Sequence, residues 1–432
     1  MQPSQKMGIE SNEPLTPAGR LFVQPATELV INCVLGIDQS VGLETVHSVV
    51  SNSLIVKHPR FTSLLVTDKH GRERWKRVDI ELDRHIIFVP NPVNDNNNNN
   101  NDDDDNDEVA VNDYLANLTV SCPLSTDKPL WEMHILDAHK CVVIRFHHAL
   151  GDGVSLLSLL LTMCRRVSDG EKVPTVETTS SSAVRNSREG AGICGWLKMM
   201  WLTLVYMVEF CMKCLWVRDK ETVVRGGAGV ELWPRKLATA KFSLDDMKTV
   251  KSAVFNATIN DVLFGVISSG LSRYLENHST KPLREGLQIT GAAMVNLRKS
   301  SGLQETTELM NKNSGSRWGN KFGMMLLPVY YHARGSDPLQ YVKRAKIMID
   351  NKKLSFEAFL SYKIGYFIMK CLGARFASLL NYRIICNTTF TISNLVGPKE
   401  RIMIAGILVT YIRATSSSLA HVRMYKLYIP MT

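Results

Sequence analysis

The chain's 432 residues are 45% apolar and 21% charged, which excludes a disordered protein and leaves room for two domains with separate cores. Its net charge of +10 points to an anionic partner, such as a phosphorylated cofactor or an acidic membrane. No RNA- or DNA-binding motif accompanies that charge, so nucleic acid is not expected. The nine cysteines, odd in number and scattered, suit a reducing compartment rather than a disulfide framework.

Residues 1–14 are polar and lack the apolar core of a signal peptide. Alternating β-branched and helical stretches follow, such as 29–35 and 46–56, and open a mixed α/β pattern. Residues 94–108 form an Asn/Asp tract with seven acids and no base. Such a tract cannot bury apolar area and is expected to be a disordered surface loop. Outside it the chain carries 51 bases against 34 acids, a balance of +17, so the folded part is more basic than the net charge suggests.

Residues 141–146 are apolar and β-branched, as in a buried strand, and 154–161 read as a buried helix followed by Arg165, Arg166 and the Gly170 turn. Between them lies His147-His148-Ala149-Leu150-Gly151-Asp152-Gly153, at a strand-to-helix turn where side chains face a cleft. Pro174 to Gly190 is rich in Ser, Thr and charge, and reads as a linker between a first domain (1–173) and a second (222–432). In the second, 257–276 and 338–352 read as helices, and 287–295, 323–331 and 390–394 as strands.

The most apolar stretch, 195–217, is long enough to cross a bilayer, but Lys198, Glu209 and Lys213 interrupt it. At about 100° per residue these charges fall on one narrow stripe, at roughly 0°, 20° and 60°. With Trp196 and Trp201 near one end, the expectation is a helix lying in the membrane interface with its polar stripe in water. Burial against the protein's own core and a true span are the two alternatives, and hydropathy alone favours a single span. Cys211 and Cys214 form a lone CxxC inside this run and are expected to pack rather than bind metal.

A neutral imidazole beside a cleft takes a proton from a hydroxyl near neutral pH, which is worth roughly 10²–10⁴ in rate. His147 and His148 are adjacent on a strand and point to opposite faces, so they make a poor metal site; one faces the cleft and the other packs inward. Asp152 is a good N-cap for the following helix, and pairing with a basic residue to hold the loop is its second candidate role. Gly151 and Gly153 allow the tight turn.

His148-Ala149-Leu150-Gly151-Asp152-Gly153 matches the HxxxDG signature of acyl-CoA-dependent acyltransferases, and the doubled histidine narrows the match. With Pro14-Leu15-Thr16-Pro17, Arg20-Leu21-Phe22, His58-Pro59-Arg60-Phe61 and Pro129-Leu130-Trp131, the chain resembles the plant wax ester synthase/diacylglycerol acyltransferase family. Asn260-Asp261, Asn296-Leu297-Arg298, Gly319-Asn320-Lys321-Phe322-Gly323 and Ser393-Asn394-Leu395-Val396-Gly397-Pro398 extend the match along nearly the whole chain. The DFGWG motif of plant acyltransferases acting on phenolics and alkaloids is absent.

The resemblance implies an α/β fold of two chloramphenicol-acetyltransferase-like domains with mixed sheets and an active-site channel between them. It implies His148 as general base, taking the proton of a long-chain alcohol or diacylglycerol as its oxygen attacks an acyl-CoA thioester. Acyl-CoA is then a co-substrate, and neither a metal nor a covalent acyl-enzyme is required. Asp152 becomes structural, with Arg298 a candidate partner, and His147 supporting. Further candidates beside substrate or oxyanion are Gly153, Trp131, Asn260, Asp261, Asn296 and Arg298. Each has a plainer reading: Trp131 as a core residue at a strand start, Asn260-Asp261 as a helix cap. The setting implied is the cytosolic side of the endoplasmic reticulum membrane, with the plasma membrane as the alternative. In the family the second domain continues well past the Gly-Pro segment. Here about 30 residues follow Gly397-Pro398, which leads us to expect a shortened second domain with exposed apolar surface and weakened activity. A soluble acyltransferase of a small polar acceptor, and a non-catalytic lipid-binding relic, are the competing functions.

Overall fold

A computed structural model describes residues 13–93, 103–175, 192–298, 318–333, 337–417, 420 and 422–428. Its largest sheet has seven strands in the order β5-β6-β7-β2-β13-β12-β8. These are β2 (Val30–Ile37), β5 (Ile86–Val89), β6 (Trp131–Leu136), β7 (Cys141–His147), β8 (Arg165–Arg166), β12 (Ile402–Ile404) and β13 (Ile407–Ser416). β7 is the strand expected before the histidines. It is apolar because both faces are covered, with Ile144 and Phe146 in the main core and Val143 under α3 (Asp103–Ser121). The main core is closed by α2 (Leu43–Asn52) and α4 (Gly153–Leu161), which bury Val46, Val50, Leu156 and Leu159.

The acidic tract is not wholly a loop. From Asp103 it is helical, and residues 94–102 lie outside the described ones. Acids at a helix N-terminus offset the exposed N–H dipoles. Glu108 here also meets Lys241 at 2.9 Å, Asp107 pairs with His139, and the turns beyond bury Val111 and Leu115.

The second sheet runs β10-β9-β11-β14, from β9 (Gln288–Asn296), β10 (Phe322–Tyr330), β11 (Phe390–Val396) and β14 (Val422–Tyr428). β14 pairs in parallel with all of β11. Helices α7 (Ile259–His278) and α8 (Pro338–Leu354) pack on this sheet through Phe264, Leu271, Leu275 and Ala345. α9 (Glu357–Cys371) crosses β10 so closely that a Cβ at Gly323 would stand 1.9 Å from the Ala358 carbonyl oxygen. A small sheet, β1-β4-β3, completes the strands (Glu13–Pro14, Glu73–Arg77 and Ser63–Thr67).

The proposed division at 174–190 needs a correction. β12 and β13 lie in the second half of the sequence but belong to the first sheet, where β13 pairs Ser416 with Ile31 and Ile412 with Leu35. Most of 174–190 lies outside the described residues.

The apolar stretch is one helix, α5 (Ile193–Leu215), preceding α6 (Leu244–Ser252). Its polar stripe turns toward the protein at Glu209 and Lys213 rather than to water. Lys213 is buried against Asp219, whose carboxylate also accepts from the Thr290 amide at 2.7 Å. Glu209 is half-buried and accepts from Gln288, and of the three charges only Lys198 is exposed. Thr203 accepts from the Phe356 amide at 3.0 Å, and Lys352 sits 3.6 Å over the Tyr206 ring while pairing with the buried Glu357. The outward face instead carries Trp196, Trp201, Leu204, Val208, Leu215 and Trp216, with Trp201 65% exposed. Polar contacts and an apolar patch, where Phe210 packs with Ala292, Met324 and Ile384, together hold this helix to the protein, while a second set of apolar side chains looks outward.

Candidate active site

The two histidines end in different surroundings because the strand stops between them. The His147 amide donates to the Leu130 carbonyl at 3.0 Å, as the last rung of β7. Its ring is buried, its Nδ1 accepts from the Ala149 amide at 3.1 Å, and its Nε2 lies 3.9 Å from Glu28 Oε1. An accepting Nδ1 puts the proton of the neutral ring on Nε2. Burial, reinforced by the neighbouring His148, pulls the His147 pKa down to about 4, so the ring stays neutral and braces the turn.

His148 is half-buried, with its Nδ1 turned away from solvent. Its backbone is fixed on both sides: the amide donates to the Leu29 carbonyl at 2.7 Å, and its carbonyl accepts from the Asn320 side chain at 2.9 Å. The imidazole stacks on Phe22, the last residue of α1 (Pro17–Phe22), with centroids 4.0 Å apart. Phe322, at the start of β10, stands edge-on at 6.2 Å. The ring thus sits between the first-sheet turn, the N-terminal helix and a strand of the second sheet, flanked by two apolar walls.

Asp152 is the N-cap of α4, its Oδ1 accepting from the Ser155 amide at 3.1 Å. Its Oδ2 accepts from Arg298 Nη1 at 2.6 Å and from the Lys321 amide at 3.1 Å. Arg298 also donates to Ser155 Oγ, the Gly319 carbonyl and Asn296 Oδ1. Trp318 adds a bond from its indole to the Leu150 carbonyl at 3.0 Å. Together these contacts clasp the motif loop to the strand ends of the second sheet. Both members of the ion pair are buried, so the pair is held by its full set of partners rather than by charge alone.

Of the candidates from sequence, the structure brings together His147, His148, Asp152, Gly153, Asn296 and Arg298. Gly153 opens α4 against Leu395 of β11, and a Cβ there would come within 2.9 Å of that side chain. Asn260 and Asp261 begin α7 at the edge of this group. The Asn260 carboxamide oxygen accepts from Asn394 at 2.8 Å, while Asp261 is fully buried and closes a capping box with Thr258. Trp131 must be set aside as a substrate residue. It is 0% exposed, stacks on His85 and donates from Nε1 to the Phe61 carbonyl at 2.9 Å. Phe22, Phe322, Asn320 and Trp318 do touch the motif. Three of them lie in segments that marked the resemblance, yet nothing in their spacing told of a ring against His148. Among the described residues no three His, Cys, Asp or Glu side chains gather as a metal site.

The histidine-bearing turn is thus held between two mixed sheets. The fold agrees with solved structures: a wax ester synthase/diacylglycerol acyltransferase from Marinobacter aquaeolei VT8 superposes with a TM-score of 0.54 at 13% identity, covering 96% of this chain and 90% of that one. The first condensation domain of the CDA synthetase gives 0.50 at 12% identity, over 97% and 88%. Family models match too: the wax ester synthase/diacylglycerol acyltransferase catalytic domain over residues 112–263, and the WS/DGAT C-terminal domain over 318–425. "Wax ester synthase/diacylglycerol acyltransferase 11" of Arabidopsis thaliana is 35% identical over 93% of this chain and 84% of its own length. The chain belongs to the wax ester synthase/diacylglycerol acyltransferase family, whose members are acyl-CoA-dependent O-acyltransferases.

Proposed function

We propose that this enzyme esterifies long-chain alcohols, and to some extent diacylglycerol, with the acyl group of acyl-CoA, using His148 as general base. The single observation that carries this reading is the His148 side chain itself: half-buried, backbone-locked, and walled by Phe22 and Phe322. Its imidazole takes the hydroxyl proton as the alcohol oxygen bonds to the thioester carbonyl carbon. The tetrahedral intermediate then expels the CoA sulfur, which recovers the proton from the imidazolium. Apolar walls suit a hydrocarbon acceptor better than a polar one. Asp152, turned to Arg298, takes no part in the proton transfer, and His147 keeps the turn in shape.

The work site is the cytosolic face of the endoplasmic reticulum membrane, with α5 lying in the interface. Its composition and length would allow a span. Crossing the bilayer would strip Lys213, Tyr206 and Thr203 from Asp219, Lys352 and the Phe356 amide, leaving charges stranded on both sides of the break. The basic surplus of the surface suits CoA phosphates and anionic headgroups alike. Expression in yeast lacking neutral-lipid synthesis, with fatty alcohol supplied, tests the activity. Wax ester should form with the wild-type chain and fall by at least 10³-fold, within the range for loss of a general base, in His148→Ala. Ester formation that survives His148→Ala would sink the general-base assignment.

A further inference from the structure

A second apolar surface adjoins α5, on the helical hairpin formed by α9 and α10 (Gly373–Asn387). At its apex Gly373 turns the chain with φ of +85°, and Phe367, Leu372 and Phe376 point outward, with Phe367 63% and Leu372 58% exposed. Lys363, Lys370 and Arg375 are exposed around them. The only acid in residues 357–387 is Glu357, which is buried and paired to Lys352. The inner side of the hairpin is as well packed as the outer side is bare. Ala374, Ala377 and Met369 pack against Leu21 of α1, and Ser378 Oγ lies 3.0 Å from Thr27 Oγ1. α1 ends in Phe22, the ring under His148. Farther along α10, Arg383 donates to the Leu215 carbonyl at the end of α5, so the two outward faces are continuous.

Resting on the reading above of an enzyme that works at a membrane, we propose that the α9–α10 hairpin is a second membrane-docking element, beside α5. Its apex enters the headgroup and acyl boundary of an anionic leaflet, while Lys363, Lys370 and Arg375 meet lipid phosphates. An apolar wedge ringed by one sign of charge fits a bilayer. It does not fit a second copy of the same face, because a two-fold contact would bring those cations against each other. Docking through this hairpin also places the bilayer one helix away from the imidazole, with α1 between them. A hydrocarbon acceptor therefore has a short apolar route to the base.

The test uses the full-length protein and sedimentation with vesicles of phosphatidylcholine, with and without one third phosphatidylserine. Lys370→Gln combined with Arg375→Gln should weaken binding to the anionic vesicles by about 30-fold, at roughly 5-fold per cation, and leave binding to neutral vesicles unchanged. Leu372→Asp should weaken binding to both. Neither should alter turnover of octanoyl-CoA with hexanol, a pair needing no bilayer, whereas ester formation from vesicle-dissolved hexadecanol should fall with binding. Unchanged vesicle affinity in these variants overturns the proposal. So does a change from dimer to monomer on gel filtration with vesicle binding intact, which would make the face a contact between copies. Failure of the wild-type protein to turn over octanoyl-CoA and hexanol would instead count against the acyltransferase reading, since vesicle binding is read without chemistry.

Discussion

Asp152→Ala removes three hydrogen bonds at one stroke, to the Ser155 amide, the Lys321 amide and Arg298 Nη1. Loss of the helix cap costs about 1 kcal/mol. Stranding a buried guanidinium costs about 3–5 kcal/mol, and Arg298 falls at the low end because Asn296, Ser155 and the Gly319 carbonyl still hold it. The expected loss is therefore about 4 kcal/mol, read by urea unfolding followed through tryptophan fluorescence, or a fall in Tm of roughly 4 °C for a chain of 432 residues. Arg298→Met should cost about 3 kcal/mol, since Asp152 keeps two amide donors. The double variant should be little worse than Asp152→Ala alone, a coupling of about 2–3 kcal/mol. Activity should fall along with stability, and the pH profile of kcat/KM should not move. The reasoning is refuted if Asp152→Ala unfolds like the wild type but shifts that profile, because Asp152 would then act on the His148 ring rather than on the loop.

Two further outcomes concern the buried groups His147 and Lys213. His147 is neutral in the fold down to about pH 4, whereas the unfolded chain binds a proton below about 6.5, so its contribution to stability is lost as the pH falls through that window. His147→Asn, whose Oδ1 can replace the accepting Nδ1, should flatten the fall in urea midpoint between pH 6.5 and 4 by an amount worth about 3 kcal/mol; an unchanged slope counts against the buried ring. Lys213→Ala should cost about 3 kcal/mol, because Asp219 loses its counter-charge but keeps donors from Thr290 and Thr389, and a calorimetric scan showing no change would place Lys213 in water after all.

The core of the site was legible because its signals are local. An apolar strand, a glycine-flanked turn, an aspartate at a cap position and a leucine-rich helix are each set by neighbours a few residues away, and β7 and α4 stand where those signals put them. The orientation of α5 was not legible. A stripe of Lys198, Glu209 and Lys213 satisfies water as well as it satisfies Gln288 and Asp219, and only the tertiary partner decides which. The place of β13 was hidden for the same reason, since alternation specifies a strand but not which edge it joins. The helical start of the acidic tract depends on Lys241 and His139, both remote in sequence. The Phe22 wall depends on α1 docking from more than a hundred residues upstream, a contact that no periodicity encodes.

The return of β13 into the first sheet has a consequence for how this protein is made. β2 has two neighbours, β7 on one side and β13 on the other, and the second is synthesised only after almost the whole chain has left the ribosome. Until then β2 presents an unpaired edge, the kind that invites association with another chain. A fragment ending at the linker would keep both histidines and still lack a completed sheet to hold them. The halves are joined in assembly order as well as in space, so the enzyme should be made slowly, lean on chaperones, and resist being split into separately soluble domains.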